Sequence, residues 1–511
     1  MADKYIRLAA VEGGPFSTTV KNISWEIPGG AVYDLHDSFI TLTTTLNTPT
    51  DATTDYDGAA LTDCIYQIGL KYTNTTAQLR NTQFVKNVSM SCRARGTLES
   101  VNRIDQLSDA IYNMSTSQRK NASYNYLSVG TVVDPAGSQH YGFYTDTQKE
   151  GSVASSYRQG RIQIRLGDLM DICNTRAYDA RRLGQSMIRA EFNFDKISPY
   201  VIGYPALDAA SGLTACDNIA VFAAPGNVDT LVVTAAAAGA GGAGQQGVRV
   251  PTDSPFWVGA KVRVATATPV AAAPVIAGAD FRITSIAFSD AGAITLGISP
   301  PVPMAIGDGY TGITLTNLGD DTGVTLNGVN WDTAFITLKQ LGSPPPMNMP
   351  MEIPYRTWRA LEDVGPAGIA NFARVYDIDA SADGMIVCFP NAATNDINSV
   401  NDDIDEYRIR VNQTDLTDRN VIVNPPSPLY YDRTAAGLAA MGMQVNSLQL
   451  TALNSSLETY DGSQGGEVLK YIVSKLPQTS TNKAVQLNIL APGGSVPRLT
   501  VFQALPRVIE L

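Results

Sequence analysis

Apolar and polar residues alternate in short runs from one end of the chain to the other. Ile23, Trp25 and Ile27 alternate with Ser24 and Glu26, and Ile40, Leu42, Thr44 and Leu46 form one face of 39–47. The same period of two returns at Ile162, Ile164 and Leu166, at Ile188, Ala190, Phe192 and Phe194, and at Ile336 and Leu338. After Pro344-Pro345-Pro346 the pattern restarts with Met351, Ile353 and Tyr355. It continues through Tyr407, Ile409 and Val411, Leu448 and Leu450, Val485, Leu487 and Ile489, then Leu499 and Val501. A strand with one dry and one wet face produces this alternation, as in antiparallel sandwiches.

Helical spacing is scarce. Val101, Ile104, Leu107 and Ile111 predict one helix with Ser100 as N-cap. Val468, Leu469, Ile472, Val473 and Leu476 predict a second, stopped by Pro477, and 434–441 a short Ala-rich third. The predicted class is therefore all-β, with a few short helices in loops.

The middle of the chain differs in composition. Between 217 and 327 there are only four Lys/Arg (Arg249, Lys261, Arg263, Arg282) and eight Asp in 111 residues, a sparser charge than in the rest of the chain. Its own apolar runs predict short strands: Val258, Val262 and Val264; Phe281, Ile283 and Ile286; Ile294, Leu296 and Ile298; Ile313 and Leu315. Turn clusters such as Asp290-Ala291-Gly292 separate them. The expectation is a small β-barrel or sandwich at 217–327, inserted into a first unit of 1–216 plus 328–343. A second unit follows at 344–511. The Pro-rich stretch 342–350 is the linker, because consecutive prolines make a stiff, extended spacer.

Charge narrows the function. The chain carries 37 Lys+Arg against 48 Asp+Glu, a net charge of −11, and no run of five basic residues. Gripping nucleic acid through its phosphates needs a basic face or arm, so sequence-specific nucleic-acid binding is not expected; a genome would be enclosed instead. Charged residues make up 17 % and hydrophobic residues 44 %, a composition that excludes intrinsic disorder. The N-terminus reads as no signal peptide, and the Ala/Gly-rich 230–248 as no membrane helix. Five widely spaced cysteines (Cys64, Cys92, Cys173, Cys216, Cys388) without a Cys-x-x-Cys fit free thiols in a reducing compartment. The expectation is a soluble intracellular product.

Candidate chemistry is thin. There are two histidines, His36 and His140. Asp34-x-His36-x-Ser38 on an extended segment lacks the convergence of a nucleophilic triad and reads as a turn between strands. Asp377–Gly384 begins like a calcium loop, but its glycine is misplaced and Cys388 stands where the twelfth-position Glu belongs. Asn401-Asp402-Asp403-Ile404-Asp405-Glu406 is richer in carboxylates and reads as a solvated loop. Gly239-Ala240-Gly241-Gly242-Ala243-Gly244 lacks the Lys-Ser/Thr of a phosphate cradle. Trp25, Trp331 and Trp358 read as core; Trp257 in the insert is the candidate for sugar stacking. No catalytic, cofactor or metal-binding residue is assigned, and no enzyme is expected.

The motif order nevertheless resembles a family. Val32-Tyr33-Asp34-Leu35-His36-Asp37-Ser38-Phe39-Ile40-Thr41-Leu42, following a strand that ends in Ile27-Pro28, is similar to the opening of major capsid proteins of polinton-like viruses and virophages. The blocks Leu79–Asn81, Val85–Met90 and Gly96–Ser100 resemble their strand leading into a surface helix. Arg161–Leu169, Arg189–Asn193 and the terminal Pro506–Leu511 resemble later strands. Outside 217–327 the order holds over most of the chain.

The resemblance implies two tandem jelly-roll β-sandwiches, a double jelly roll akin to adenovirus hexon. It implies homotrimers forming pseudo-hexagonal capsomers of an icosahedral shell around double-stranded DNA, in a virion assembled inside the host cell. Implied partners are other copies, neighbouring capsomers, and penton and minor capsid or cement proteins. The insert departs from the minimal pattern; it is expected to project outward as a tower and is where a host glycan or receptor would bind. The competing reading is a multi-domain carbohydrate-binding adhesin or spike. A β-sandwich hydrolase fails for want of an acid–base pair.

Overall fold

The computed structural model describes residues 2–46, 50–51, 54–61, 68–72, 81–115, 131–133, 139–143, 159–201, 213–233, 256, 258–289, 293–316, 324–325, 328–365, 369–390, 404–417, 419–423, 427–443, 471–490 and 498–510. In chain order the strands needed here begin with β1 (Lys4–Ala9), β2 (Asn22–Ile27), β3 (Val32–Leu46), β4 (Val85–Cys92), β5 (Gly96–Asn102), β6 (Gln159–Arg165) and β7 (Ser186–Phe192). Next come β8 (Leu213–Ala215), β9 (Gly226–Val233), β10 (Lys261–Val270), β11 (Asp280–Phe288), β12 (Ile294–Met304), β13 (Gly309–Thr316) and β14 (Val329–Gln340). The remainder are β15 (Glu352–Val364), β16 (Asn371–Ile378), β17 (Gly384–Cys388), β18 (Glu406–Val411), β19 (Thr414–Asp415), β20 (Ile472–Lys475), β21 (Lys483–Leu490) and β22 (Arg498–Glu510).

Eight of these strands form the first barrel, in two sheets ordered β1-β14-β3-β6 and β2-β7-β4-β5. Lettered B to I in chain order, the sheets are BIDG and CHEF, the Greek-key order of a jelly roll. The second barrel repeats it: β15-β22-β17-β20 and β16-β21-β18-β19. The fold is a double jelly roll.

Alternation explains which residues point inward. In β7, Ile188, Ala190 and Phe192 are buried between exposed or half-buried neighbours, and in β21 Val485, Leu487 and Ile489 are buried likewise. Trp25 and Phe192 meet edge-to-face at 6.3 Å inside the first core. Antiparallel pairing holds register through Ile40↔Ile336 and Ile188↔Trp25. A one-residue slip would turn every such apolar side chain to solvent.

Three helix expectations need correction. Helix α1 is Ile104–Ser115, so Ser100 and Val101 lie in β5 instead of capping it; Arg103, with positive φ of 56°, breaks the strand and starts the turn. Ile472 and Val473, expected in a helix, form β20 and pair with Val387 and Ile386 of β17. Two adjacent buried β-branched residues suit a strand better than a helix. The third, α2, is Pro428–Ala440 and starts earlier than expected, at Ser427, whose hydroxyl accepts from Tyr430 N–H with Pro428 in the first turn. Val468 and Leu469, Leu448 and Leu450, and Asp290-Ala291-Gly292 lie outside the described residues.

Loop length is uneven between the barrel ends. Segments 47–84, 103–158 and 193–328 all leave the same end of the first barrel. They meet in a small sheet ordered Ile197–Val201, Ile68–Tyr72, Gln139–Phe143, Thr131–Val133, and Thr50–Asp51 pairs with Val324–Thr325. The other end has short turns at 28–31 and 93–95, with the longer segment 166–185 packed on them through Ala180 N–H to Ala31 O and Ala94 N–H to Leu183 O.

Within 193–328 lies a six-stranded sheet, β8-β13-β10-β11-β12-β9, whose edges meet at a Cys216–Val233 bridge and Asp217 N–H to Val232 O, 2.8 Å. It is therefore a small closed barrel with a separate core around Phe281, Leu296 and Tyr310. Both connections leave from one end, where Leu213 pairs with Thr316. At the free end, buried Asp308 ties the turns together by accepting from Ala272 N–H at 3.1 Å and Ala305 N–H at 2.8 Å.

Candidate functional site

The two jelly rolls stand side by side and share a seam. Strand β15 of the second barrel packs against β5 of the first. Its Ile353 and Trp358, 3 % and 9 % exposed, join the first barrel's core beside Ile104 and Leu107 of α1. Tyr355 Oη donates to Leu98 O at 2.7 Å, and Arg356 N–H donates to Asp171 Oδ2 at 2.6 Å. The Arg356 guanidinium reaches Asp383 Oδ2 at 2.8 Å and also donates to Met441 O. At the short-turn end Arg95 donates to Glu510 O at 2.5 Å; toward the long-loop end Arg103 pairs with Glu362 at 3.6 Å. Short turns therefore meet short turns, and the barrels point the same way.

A cleft of about 320 Å³ lies in this seam, lined by Glu99, Leu107, Asp171, Arg356 and Trp358 among others. Glu99 is 1 % exposed. Its two oxygens accept from Asp171 N–H at 3.1 Å and Ile172 N–H at 2.8 Å. Burial pushes its pKa up to about 8 despite those two donors, with nearby Asp171 adding to the rise. Sequence alternation could not place Glu99: the β4–β5 register shifts between Met90 and Ser91, so Leu98 and Glu99 are both buried in succession. Only an acid inside a strand could have signalled it.

The linker is also held. Arg181 donates to Pro345 O at 2.7 Å, and Arg182 donates to Pro346, Met347 and Met349 carbonyls at 3.1, 2.6 and 2.7 Å. Asp179 holds both arginines, at 2.7 and 3.4 Å. The expected spacer is thus clamped to the first barrel, but it is not extended throughout: it turns at 346–349, where Met349 N–H donates to Pro346 O at 3.2 Å.

The sequence candidates fall as follows. His36 stays on β3, where its N–H donates to Thr175 O; Ser38 Oγ donates to Asp34 O at 2.6 Å, and Lys339 Nζ reaches Asp34 at 3.1 Å and Asp37 at 2.8 Å. Asp37 and Asp34 raise the Lys339 pKa, and Lys339 holds Asp37 below the usual carboxylate range. The cluster fastens β3 to β14 and converges on no nucleophile. Asp377 accepts from Asn482, Asp379 from Ser381, and Asp383 pairs with Arg356; the three carboxylates serve separate contacts around one turn. Glu406 accepts from Asn420 at 2.9 Å.

Trp25, Trp331 and Trp358 are buried. Cys92, Cys173, Cys216 and Cys388 are buried and form no disulfide among the described residues. Cys64, Trp257, Gly239–Gly244 and Asn401–Asp403 lie outside the described residues, as does the side chain of His140.

No protein-family profile matches the chain, and no curated protein matches it. Solved structures do. A structure of the Sputnik virophage is similar over 100 % of this chain and 86 % of its own, at 8 % identity and a TM-score of 0.45. The mavirus major capsid protein is similar over 99 % and 88 %, at 9 % identity and 0.38. The Faustovirus major capsid protein is similar over 99 % and 90 %, at 9 % identity and 0.39.

The outer wall of the first barrel is polar. Across β2-β7-β4-β5, Ser24, Arg189, Ser89 and Ser100 stand in one cross-strand row and Asn22, Glu191, Asn87 and Asn102 in the next. Lys21 pairs with Glu191 at 3.0 Å. Such a face stays soluble alone and can meet another polar wall through water and hydrogen bonds.

Proposed function

We propose that the chain is the major capsid protein of an icosahedral double-stranded DNA virus of the polinton-like or virophage kind. Three copies would form a pseudo-hexagonal capsomer, and capsomers would tile the shell. The observation that carries this reading is the seam: two barrels of identical strand order, upright together and with like ends aligned. A chain that presents two equivalent blocks in line can build a six-sided ring from three copies, and closed rings of identical subunits are the common form of assembly. Its units are the first jelly roll on either side of the inserted barrel, then the second jelly roll after the clamped linker.

The long-loop end would face outward, carrying the inserted barrel as a tower whose free end meets a host glycan or receptor. The short-turn end would face the interior, without reading nucleic-acid sequence. Penton and minor capsid proteins would complete the shell, and the role would be structural and not enzymatic. Native mass spectrometry of the purified chain tests the reading: the expected species is three times 54.5 kDa, with a six-sided outline in negative stain. A monomer at micromolar concentration would overturn it, and density for 217–327 beneath a reconstructed shell would overturn the outward tower.

A further inference from the structure

The free end of the inserted barrel is apolar on its outside. Its three turns join β8 to β9, β10 to β11 and β12 to β13, and all three lie within the described residues. The segments outside them, 234–255, 290–292 and 317–323, begin where β9, β11 and β13 reach the opposite end. Over 219–226, 271–279 and 300–307 the chain contains only Ala, Gly, Ile, Met, Phe, Pro and Val. Val221, Val275 and Ile306, one from each turn, are 56 %, 67 % and 68 % exposed. A soluble protein seldom presents an apolar cap of this kind without a partner for it.

The turns are fastened to one another, which turns polar atoms of their main chain inward. Asp308, itself buried, accepts from Ala272 and Ala305 and so joins the second turn to the third. Phe222 N–H donates to Asp308 O at 2.8 Å and Gly307 N–H to Phe222 O at 2.9 Å, joining the first turn to the third. Beneath them Tyr310 Oη donates to Pro274 O at 2.7 Å. No side chain in the three stretches carries a charge, a nitrogen or an oxygen. Sugars and peptides are oriented through such atoms. A hydrocarbon layer offers none, and it demands that main-chain groups find their partners within the protein.

We infer that this tip docks on a lipid bilayer, with Val221, Val275 and Ile306 entering the outer edge of its hydrocarbon. Charge favours a neutral, zwitterionic surface: the tip has no cation to pair with an anionic headgroup, and the chain as a whole carries −11. Rigid turns suit such a contact, because side chains already held outward lose little freedom on entering the bilayer. The inference deepens the reading of the barrel as an outward tower, on which its place against a host cell rests, and narrows what the free end meets to the membrane itself.

The test uses the full chain and phosphatidylcholine vesicles. The wild type should float with the vesicles in a density gradient, and high salt should not release it. Val275→Asn and Ile306→Asn should each lower the ratio of bound to free protein at least tenfold, with circular dichroism unchanged. Val375→Asn, on β16 of the second jelly roll and 66 % exposed, should bind like the wild type. A polarity-sensitive fluorophore on Ile306→Cys should shift to the blue when vesicles are added, and one on Val375→Cys should not. A wild type that stays at the bottom of the gradient, or binding that survives both Asn substitutions, would overturn the lipid contact and leave the capsomer reading standing. Binding only to vesicles that carry a glycan would overturn it in favour of a sugar. Oligomers that the Asn substitutions abolish, in place of vesicle binding, would overturn it in favour of a second copy. Density for 217–327 beneath a reconstructed shell, with vesicle binding intact, would overturn the outward tower and uphold the lipid contact.

Discussion

Replacing Glu99 by Gln tests whether the seam is as dry as its geometry states. In the unfolded chain Glu99 loses its proton near 4.5; in the fold it holds it to about 8. Between those values the folded state binds one more proton than the unfolded state, so stability falls as pH rises across that window. It is flat below 4.5 and again above 8. Each pH unit is worth about 1.4 kcal/mol for one such group, so the full span is at most about 5 kcal/mol. A glutamine at this position cannot titrate, and every other group is common to both proteins, so the difference between their stabilities isolates this one. One amide hydrogen-bonding conflict with Asp171 N–H or Ile172 N–H would offset the variant by about 1 kcal/mol at all pH values. The slope is therefore the measured quantity. Urea denaturation at pH 5, 6, 7 and 8 should show the wild type losing ground to Glu99→Gln by a few kcal/mol toward pH 8. Parallel curves would mean that water reaches the carboxylate and that the barrels do not seal against each other.

Trp358→Ala should cost about 3–5 kcal/mol, the usual range for a buried aromatic. Because Trp358 joins the first core from the second barrel, calorimetry should then resolve two separate transitions for the jelly rolls. Arg182→Ala removes three carbonyl contacts from the linker; limited proteolysis should cut within 344–350 at least tenfold faster, with the fold otherwise intact. Asp308→Ala leaves two backbone N–H groups without their acceptor, a loss of about 1–3 kcal/mol. Hydrogen exchange should speed up in 271–279 and 305–308 of the inserted barrel and not in either jelly roll.

Much of the fold was legible because its strands are amphipathic. A strand with one face on a core and one in water writes its period directly into the chain, as in β2, β7, β18 and β21. The restart of that pattern after Pro346 marks the second barrel for the same reason. Strand segments buried on both faces carry no alternation, as in β17 and at Ile472-Val473 of β20, and there the spacing of Ile472, Val473 and Leu476 imitates a helix. The boundary of α1 was misplaced because Val101 serves a strand and Ile104 a helix, with one left-handed residue between them, and apolar spacing is blind to that change of direction.

The seam was hidden for a different reason. Trp358 reads as core from sequence, and it is core, but of the barrel to which its strand does not belong. No local pattern distinguishes an apolar residue that points into its own sandwich from one that points into its neighbour. Glu99, Asp171 and Arg356 look like ordinary surface charges until two barrels close over them. Their pairing needs the relative placement of segments more than 180 residues apart, Arg356 being 185 from Asp171.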